Sequence, residues 1–149
     1  MKNTLFLLAL LGTLLLAFPT RGADLVVVEA YCMYVIDGDS IVVEQNGLAV
    51  VVRLLGIDCP ERHDDGAEEA EALTRELCEG KFIRLETDPS ESVPSVDPWF
   101  RNLCYIYVPG TNGEDVFVQA ELVHAGLAVP YWPEGQELSQ EQEILAGFE

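Results

Sequence analysis

The chain has 149 residues, with 8 Lys and Arg against 26 Asp and Glu and a formal net charge of −18. This balance argues against a protein that binds polyanions through a broad basic face, because such binding relies on many Lys and Arg displacing counterions. At about 0.15 M salt, exposed charges more than about 8 Å apart are largely screened, so a small anion site remains compatible with the composition.

The first 22 residues have the pattern of a secretory signal peptide. Lys2 precedes an unbroken apolar run, Leu5–Phe18, and small residues precede a cut before Ala23. The alternative is an uncleaved membrane anchor, although the run is shorter than the roughly 20 residues that a spanning helix needs. We therefore expect an exported protein, periplasmic or extracellular, with no stable membrane association after cleavage.

The remaining residues, 23–149, are expected to form one domain. Without the leader, 6 Lys and Arg face the same 26 acids, a net charge of −20. Four cysteines lie in this part, namely Cys32, Cys59, Cys78 and Cys104. They permit two disulfides in three pairings, which the sequence cannot choose among. The alternative is that they are small buried hydrophobic residues.

Apolar patterning and turn residues predict strands first, one inserted helix, more strands and then helices. The predicted strands are Asp24–Ile36, Ser40–Gln45, Leu48–Ile57, Lys81–Thr87 and Asn102–Val108, with a short segment at Val116–Val118. Helices are predicted from Ala67 until Gly80 ends the run, over Gln119–His124, and in the tail from Glu137. This order favours an α+β fold, mainly β, built as a five-stranded oligonucleotide-binding (OB-fold) barrel with about three helices.

Two aspartates at strand ends are candidate metal ligands. Asp39 follows a glycine in a tight turn, and Asp58 ends the third predicted strand just before Cys59. If the barrel brings these ends together, two carboxylates and a backbone carbonyl leave room for water and a substrate phosphate around a calcium ion. The alternative is that Asp-Gly-Asp forms only a turn.

Three further charged residues could complete a site that cleaves phosphodiesters. Glu61 lies three residues after Asp58 and could act as a general base, although it could equally be a surface glutamate. Arg53 lies in an apolar strand and must reach a partner, either a phosphate or a nearby acid. Arg101 begins a later strand, and two converging arginines could neutralise charge on a phosphate.

Four ordered blocks resemble the thermonuclease, or staphylococcal nuclease, family. They are Asp37–Ser40, Arg53–Glu61, Asp97–Arg101 and Leu122–Ala128. The resemblance runs from about Tyr34 to Trp132. It implies an OB-fold enzyme that cuts DNA and RNA with calcium and leaves 3′-phosphates.

By the same resemblance, calcium would be held by the carboxylates of Asp39 and Asp58 and the carbonyl of Cys59. Glu61 would be the base, and Arg53 and Arg101 would hold the phosphate. The chain departs from the family's pattern where Phe100 replaces a glycine, where the tail is short, and in its acidity.

Tyr131 and Trp132 lie where an aromatic residue could stack on a base, although they could equally pack the tail against the barrel. We expect a monomer acting on DNA or RNA, preferably single-stranded. The alternatives are a noncatalytic OB-fold binding module that has lost turnover, and an exported calcium-binding or protein-contact domain.

Overall fold

The structure is a computed structural model that describes residues 26–88, 95–132 and 138–147. The strands are β1 (Val27–Asp37), β2 (Ser40–Gln45), β3 (Leu48–Leu54), β4 (Ile57–Asp58), β5 (Phe82–Glu86), β6 (Asn102–Pro109), β7 (Asp115–Phe117) and β8 (Val129–Pro130). The helices are α1 (Ala67–Cys78), α2 (Val118–His124) and α3 (Gln140–Ala146).

Five strands close into a barrel. Their order is β3-β2-β1-β5-β6, with β7 added as a hairpin partner of β6. Every pairing in that order is antiparallel, and the barrel closes through a parallel pairing of β3 with β6. The predicted α+β fold, a five-stranded OB-fold barrel with three helices, is confirmed.

The interior of the barrel is apolar and continues beneath the helices. β-Branched residues on β2 and β3, including Ile41, Val43 and Val52, are fully buried. Ala70 of α1, Leu122 of α2 and Leu145 of α3 extend this cluster, so all three helices share one core with the barrel. The β2–β3 hairpin turns at Asn46 and Gly47, both at positive φ, as the Asn-Gly pair predicts.

The predicted strand Leu48–Ile57 was wrong at its end, because the chain turns at Leu55 and Gly56. Gly56 has a φ of 83°, a left-handed conformation that glycine adopts without a steric cost. A Cβ there would lie 3.1 Å from Leu145 Cδ1, so α3 packs directly on the turn. The two residues after the turn form β4, which pairs with β8 and carries Asp58.

A buried glutamine on α2 fastens this turn to the barrel. The side chain of Gln119 accepts a hydrogen bond from the Ile106 backbone at 3.1 Å and donates to the carbonyls of Cys104 and Leu55 at 3.0 and 3.3 Å. Since Gln119 is fully buried, these bonds satisfy polar groups that would otherwise be costly to desolvate. They hold the end of β3 in a fixed place.

Several sequence predictions fall partly outside the described residues. The predicted signal peptide at 1–22 lies there, as do Asp24 at the predicted start of the first strand, most of the loop Asp88–Pro98, and the beginning of the tail at Glu137. Within the described ranges, no helix is long and apolar enough to cross a membrane.

All four cysteines are described, and each is a buried free thiol. The alternative of small buried hydrophobic residues therefore agrees with the structure, and no disulfide links these four. Burial raises the pKa of Cys59 and Cys78 to about 12 and that of Cys32 and Cys104 to about 11. Such thiols carry almost no thiolate at neutral pH and should be inert.

We predict that the native protein, purified without reductant, reacts with no more than a trace of a thiol reagent at pH 8, because its thiols are buried and protonated. Four thiols per chain should react after denaturation. Counting modified cysteines by mass spectrometry checks this. A count of two or none in denaturant would mean that disulfides form.

Candidate active site

The centre of the site is the tight turn between β1 and β2, which holds Gly38 and Asp39. Helix α1 and the residue after β4 both lie close against this turn, since a Cβ on Gly38 would be 2.7 Å from Ala70 Cβ and 2.9 Å from Cys59 Sγ. The buried hydroxyl of Thr74 donates a 2.6 Å hydrogen bond to the Gly38 carbonyl. A glycine on the turn and small residues on the helix therefore fix where Asp39 points.

Asp39 is a nearly buried carboxylate, with 8% of the residue exposed. It accepts hydrogen bonds from the Ser40 hydroxyl at 3.2 Å and the Cys59 backbone N–H at 3.0 Å. Arg53 Nη1 lies 2.6 Å from its second oxygen. Burial raises the pKa of Asp39 to about 6, while Arg53 and the Cys59 N–H act in the opposite direction.

Arg53 joins the two predicted metal-binding carboxylates. Its Nη1 pairs with Asp39 at 2.6 Å, and its Nη2 pairs with Asp58 at 2.8 Å. Asp39 comes from the β1–β2 turn and Asp58 from β4, so two separate segments converge on one guanidinium. Register explains the meeting, because Ser40 pairs with Arg53 across β2 and β3 and the Gly56 turn leads the chain back to Asp58.

Arg101 reaches the same place from the residue just before β6. Because β3 and β6 pair in parallel, with Val52 opposite Asn102 and Arg53 opposite Leu103, the two arginines come from neighbouring strands and line one cavity although they are far apart in sequence. Arg101 Nη1 lies 3.5 Å from the Ser40 hydroxyl. The closure of the barrel is thus what brings the two arginines together.

Asp97 holds Arg101 in position. Its carboxylate accepts hydrogen bonds from Arg101 Nε at 2.6 Å and from the Arg101 and Trp99 backbone N–H groups at 2.9 Å each. Desolvation opposes the effect, but these hydrogen bonds and the guanidinium charge hold the pKa of Asp97 below its ordinary value. Pairing at Nε leaves the other guanidinium nitrogens directed toward Ser40 and the turn.

These groups surround one small cavity of about 160 Å³. Its lining consists of Asp37, Gly38, Asp39, Arg53, Cys59, Pro60, Glu61, Arg62 and Arg101. Five of the six residues predicted as metal ligands, base and phosphate clamps therefore line one space, and the sixth, Asp58, is tied to it through Arg53.

The two predicted base-stacking residues come directly after the strand that pairs with Asp58. Val129 of β8 pairs with Asp58, and Tyr131 and Trp132 follow directly. Tyr131 is 62% exposed, whereas Trp132 is partly buried and packs against the core. For Trp132 the structure favours the alternative in which the aromatic residue packs the tail against the barrel.

Sequence reasoning missed four residues that shape the site. Asp37 and Ser40 flank Asp39 in the motif and could have been singled out by adjacency. Asp97 could have been found from its spacing to Arg101, because an Asp opening a tight turn often binds the backbone two residues later. Thr74 gave no signal, since a threonine inside a helix does not reveal that it bonds a turn 36 residues away.

The oxygens of the site suit a hard cation. Among the described residues, no group of three or more His, Cys, Asp or Glu side chains converges to hold a metal by itself. Two carboxylates already satisfied by a guanidinium, with the Cys59 carbonyl as a third donor, fit calcium only if water and phosphate oxygens complete its shell. The residues present are therefore compatible with calcium bound together with a phosphate.

A larger cavity of about 650 Å³ adjoins the first and shares Asp37, Pro60 and Arg62 with it. Its wall is dominated by carboxylates of α1 and the turn before it, namely Asp64, Asp65, Glu68, Glu69 and Glu71. These carboxylates repel a polyanion, whereas Arg53 and Arg101, which line only the smaller cavity, attract one.

Comparison with known proteins agrees with this geometry. The family model described as staphylococcal nuclease homologue matches residues 51–147 of the 149. The chain belongs to this family. The match includes Arg53, Asp58, Glu61 and Arg101. It begins after Asp39, so the likeness of the Asp-Gly-Asp turn to the family rests on its motif and on its position beside Arg53.

The chain is also similar to the thermonuclease of Staphylococcus hyicus, with 31% identity over 100 residues. The aligned region covers 63% of this chain and 54% of the relative, so the chain spans about half the length of that curated relative. The resemblance to thermonucleases inferred from the four motifs is confirmed.

We predict that Thr74→Val lowers the free energy of unfolding by about 1–3 kcal/mol, because it leaves the buried Gly38 carbonyl without its donor. Thr74→Ser keeps the hydroxyl and should lose less. Urea unfolding of both variants measures the difference. Equal loss in the two variants would show that the hydrogen bond does not fix the turn.

Proposed function

We propose that this protein is a calcium-dependent endonuclease that hydrolyses the phosphodiester bonds of DNA and RNA and leaves 3′-phosphates. The observation that carries the proposal is the single cavity shared by Asp39, Arg53, Glu61 and Arg101. Membership of the staphylococcal nuclease homologue family and similarity to a protein named thermonuclease support it.

In the proposed reaction, the two arginines hold the phosphate from different strands. Arg53 would exchange its carboxylate partners for phosphate oxygens, since a guanidinium binds either group with two parallel hydrogen bonds. Arg101 keeps Asp97 on Nε and can offer Nη1 and Nη2 to another oxygen. Together they would stabilise the charge that grows on the five-coordinate phosphorus.

Asp39 and Asp58 would hold calcium through their carboxylates, with the Cys59 carbonyl as a further ligand. When bound, calcium would neutralise charge on the phosphate and polarise it toward attack. The Arg53 guanidinium occupies the place between the two carboxylates, so it would have to leave as calcium enters. We therefore expect calcium and a phosphate to bind more tightly together than separately.

Glu61 would remove a proton from the attacking water. It follows Pro60, whose ring restricts the bend, and it is an exposed side chain on the rim of the cavity. Attack by this water would form a new P–O bond and break the bond to the 5′ oxygen, which takes a proton from solvent and leaves as the hydroxyl of the next nucleotide. The product on the other side would be a 3′-phosphate.

We further propose that the protein acts after export, with residues 1–22 removed as a signal peptide. The support is the apolar run after Lys2 and the small residues before Ala23. Buried free thiols are compatible with this, because a domain of this size can be stable without disulfides.

We predict that Glu61→Gln lowers the rate of calcium-dependent hydrolysis of single-stranded DNA at least a hundredfold, because a general base contributes about 10²–10⁴ in rate. Glu29→Gln, an equal charge change at an exposed position on β1, is the matched control and should keep the wild-type rate. Rates are measured with calcium and again with a chelator.

A loss of less than tenfold in Glu61→Gln would remove Glu61 from the proposed role. Binding of single-stranded DNA by the wild type without any hydrolysis in calcium would instead support the noncatalytic OB-fold module.

A further inference from the structure

Two adjacent aromatic residues beside the cavity project into solvent. Trp99 is 74% exposed and Phe100 is 87% exposed, which are the highest values among the large hydrophobic residues that the structure describes. Single exposed apolar residues are common on protein surfaces. A consecutive Trp and Phe that bury so little of their area are unusual, because they gain little from the hydrophobic effect in the free protein.

The backbone that carries them is well ordered by hydrogen bonds. The Phe100 N–H donates to the Asp97 carbonyl and the Asp97 N–H donates to the Arg101 carbonyl, each at 3.0 Å. The Asp97 carboxylate binds the Trp99 N–H as well. The backbone from which both rings project is therefore held in place, which reduces the ordering cost of binding.

Phe100 has a φ of 63°, in the left-handed region that favours glycine. This backbone conformation explains why the family's pattern has a glycine at this position, where the present chain has Phe100. A bulky side chain in this region is an outlier, and such outliers point to function when nothing else explains them. Packing does not explain it, because the ring is almost fully exposed.

The aromatic pair is continuous with the candidate active site. Arg101 Cζ lies 5.4 Å from the centre of the Trp99 ring, and Arg101 lines the catalytic cavity. The carboxylates of α1 line the adjoining cavity, which neither Arg101 nor Trp99 lines, and they repel phosphates. A strand whose phosphate is held by Arg101 is therefore disfavoured in that cavity and can place a base over the adjacent Trp99 and Phe100.

The charge of the protein makes contacts of this kind more important. A chain with net charge −18 gains little from counterion release, so its affinity for a polyanion must come from uncharged contacts. Stacking of a base on an aromatic ring is such a contact, and it tolerates any sequence because every base has a π face. Only an unpaired base offers that face freely.

We propose that Trp99 and Phe100 form a stacking platform for a base of single-stranded DNA or RNA, next to the phosphate held by Arg101. The proposal rests on the proposed function and specifies its substrate as single-stranded. In this proposal Phe100, which replaces the family's glycine, helps to bind the base.

The test compares Phe100→Gly with the wild type in two measurements. Glycine relieves the left-handed conformation, so the variant should unfold at the same or a higher urea concentration. Its affinity for a fluorescein-labelled oligothymidylate, measured by anisotropy in chelator, should fall about tenfold. A variant that is at least as stable but binds more weakly separates binding from folding.

Three controls define the platform. An oligomer of the same length made of abasic sugar-phosphate should bind equally to the wild type and to Phe100→Gly, because it has no bases to stack. Trp99→Leu should resemble Phe100→Gly. Phe82→Ala, which removes another highly exposed aromatic ring (70%) on β5 outside the cavity, should bind as the wild type does.

Equal binding of oligothymidylate by the wild type, Phe100→Gly and Trp99→Leu would overturn the platform, even if calcium-dependent hydrolysis is intact. Equal wild-type affinity for a duplex and for the single strand would also overturn it. Base-dependent binding without hydrolysis would support the platform and contradict the nuclease. Absence of both binding and hydrolysis would overturn the two proposals together.

Discussion

The site depends on the contact of one guanidinium with two carboxylates. Arg53 binds Asp39 and Asp58 at 2.6 and 2.8 Å and so links the β1–β2 turn, β3 and β4 at a single point. Asp39 is nearly buried and Asp58 is about half exposed. The cation therefore compensates a carboxylate that burial would otherwise destabilise, and the two carboxylates that it joins are the ones we propose as calcium ligands.

The fold supplies this contact through backbone constraints rather than through a rich set of polar side chains. The β2–β3 register sets Arg53 opposite Ser40, and the parallel β3–β6 pairing adds Arg101 from the segment that leads into the neighbouring strand β6. Helix α1 presses on Gly38, and α3 presses on Gly56. A Cβ at Gly38 would clash with Ala70 of α1, and one at Gly56 would crowd Leu145 of α3, so each helix packs closely against a turn next to an aspartate-bearing segment.

The barrel could be predicted because the strand segments either alternate apolar and polar residues or are runs of β-branched residues. Asn46-Gly47 is in addition a local signal for a hairpin. The sequence could not show that the run Leu48–Ile57 breaks at Gly56, since the apolar pattern continues through the turn.

The site residues were found as motif members. Contacts between distant segments, such as Thr74 with Gly38 or Arg53 with both aspartates, depend on tertiary packing and leave no local pattern. The left-handed Phe100 was visible only as a departure from an expected glycine, and its exposure required the structure.

The most direct test of the account is a crystal structure of Glu61→Gln with calcium and a short single-stranded oligonucleotide. We expect calcium about 2.3–2.6 Å from carboxylate oxygens of Asp39 and Asp58, with the Arg53 guanidinium moved from those carboxylates to a phosphate oxygen. Calcium bound elsewhere, or Arg53 still joining Asp39 to Asp58 while a phosphate occupies the cavity, would contradict the account.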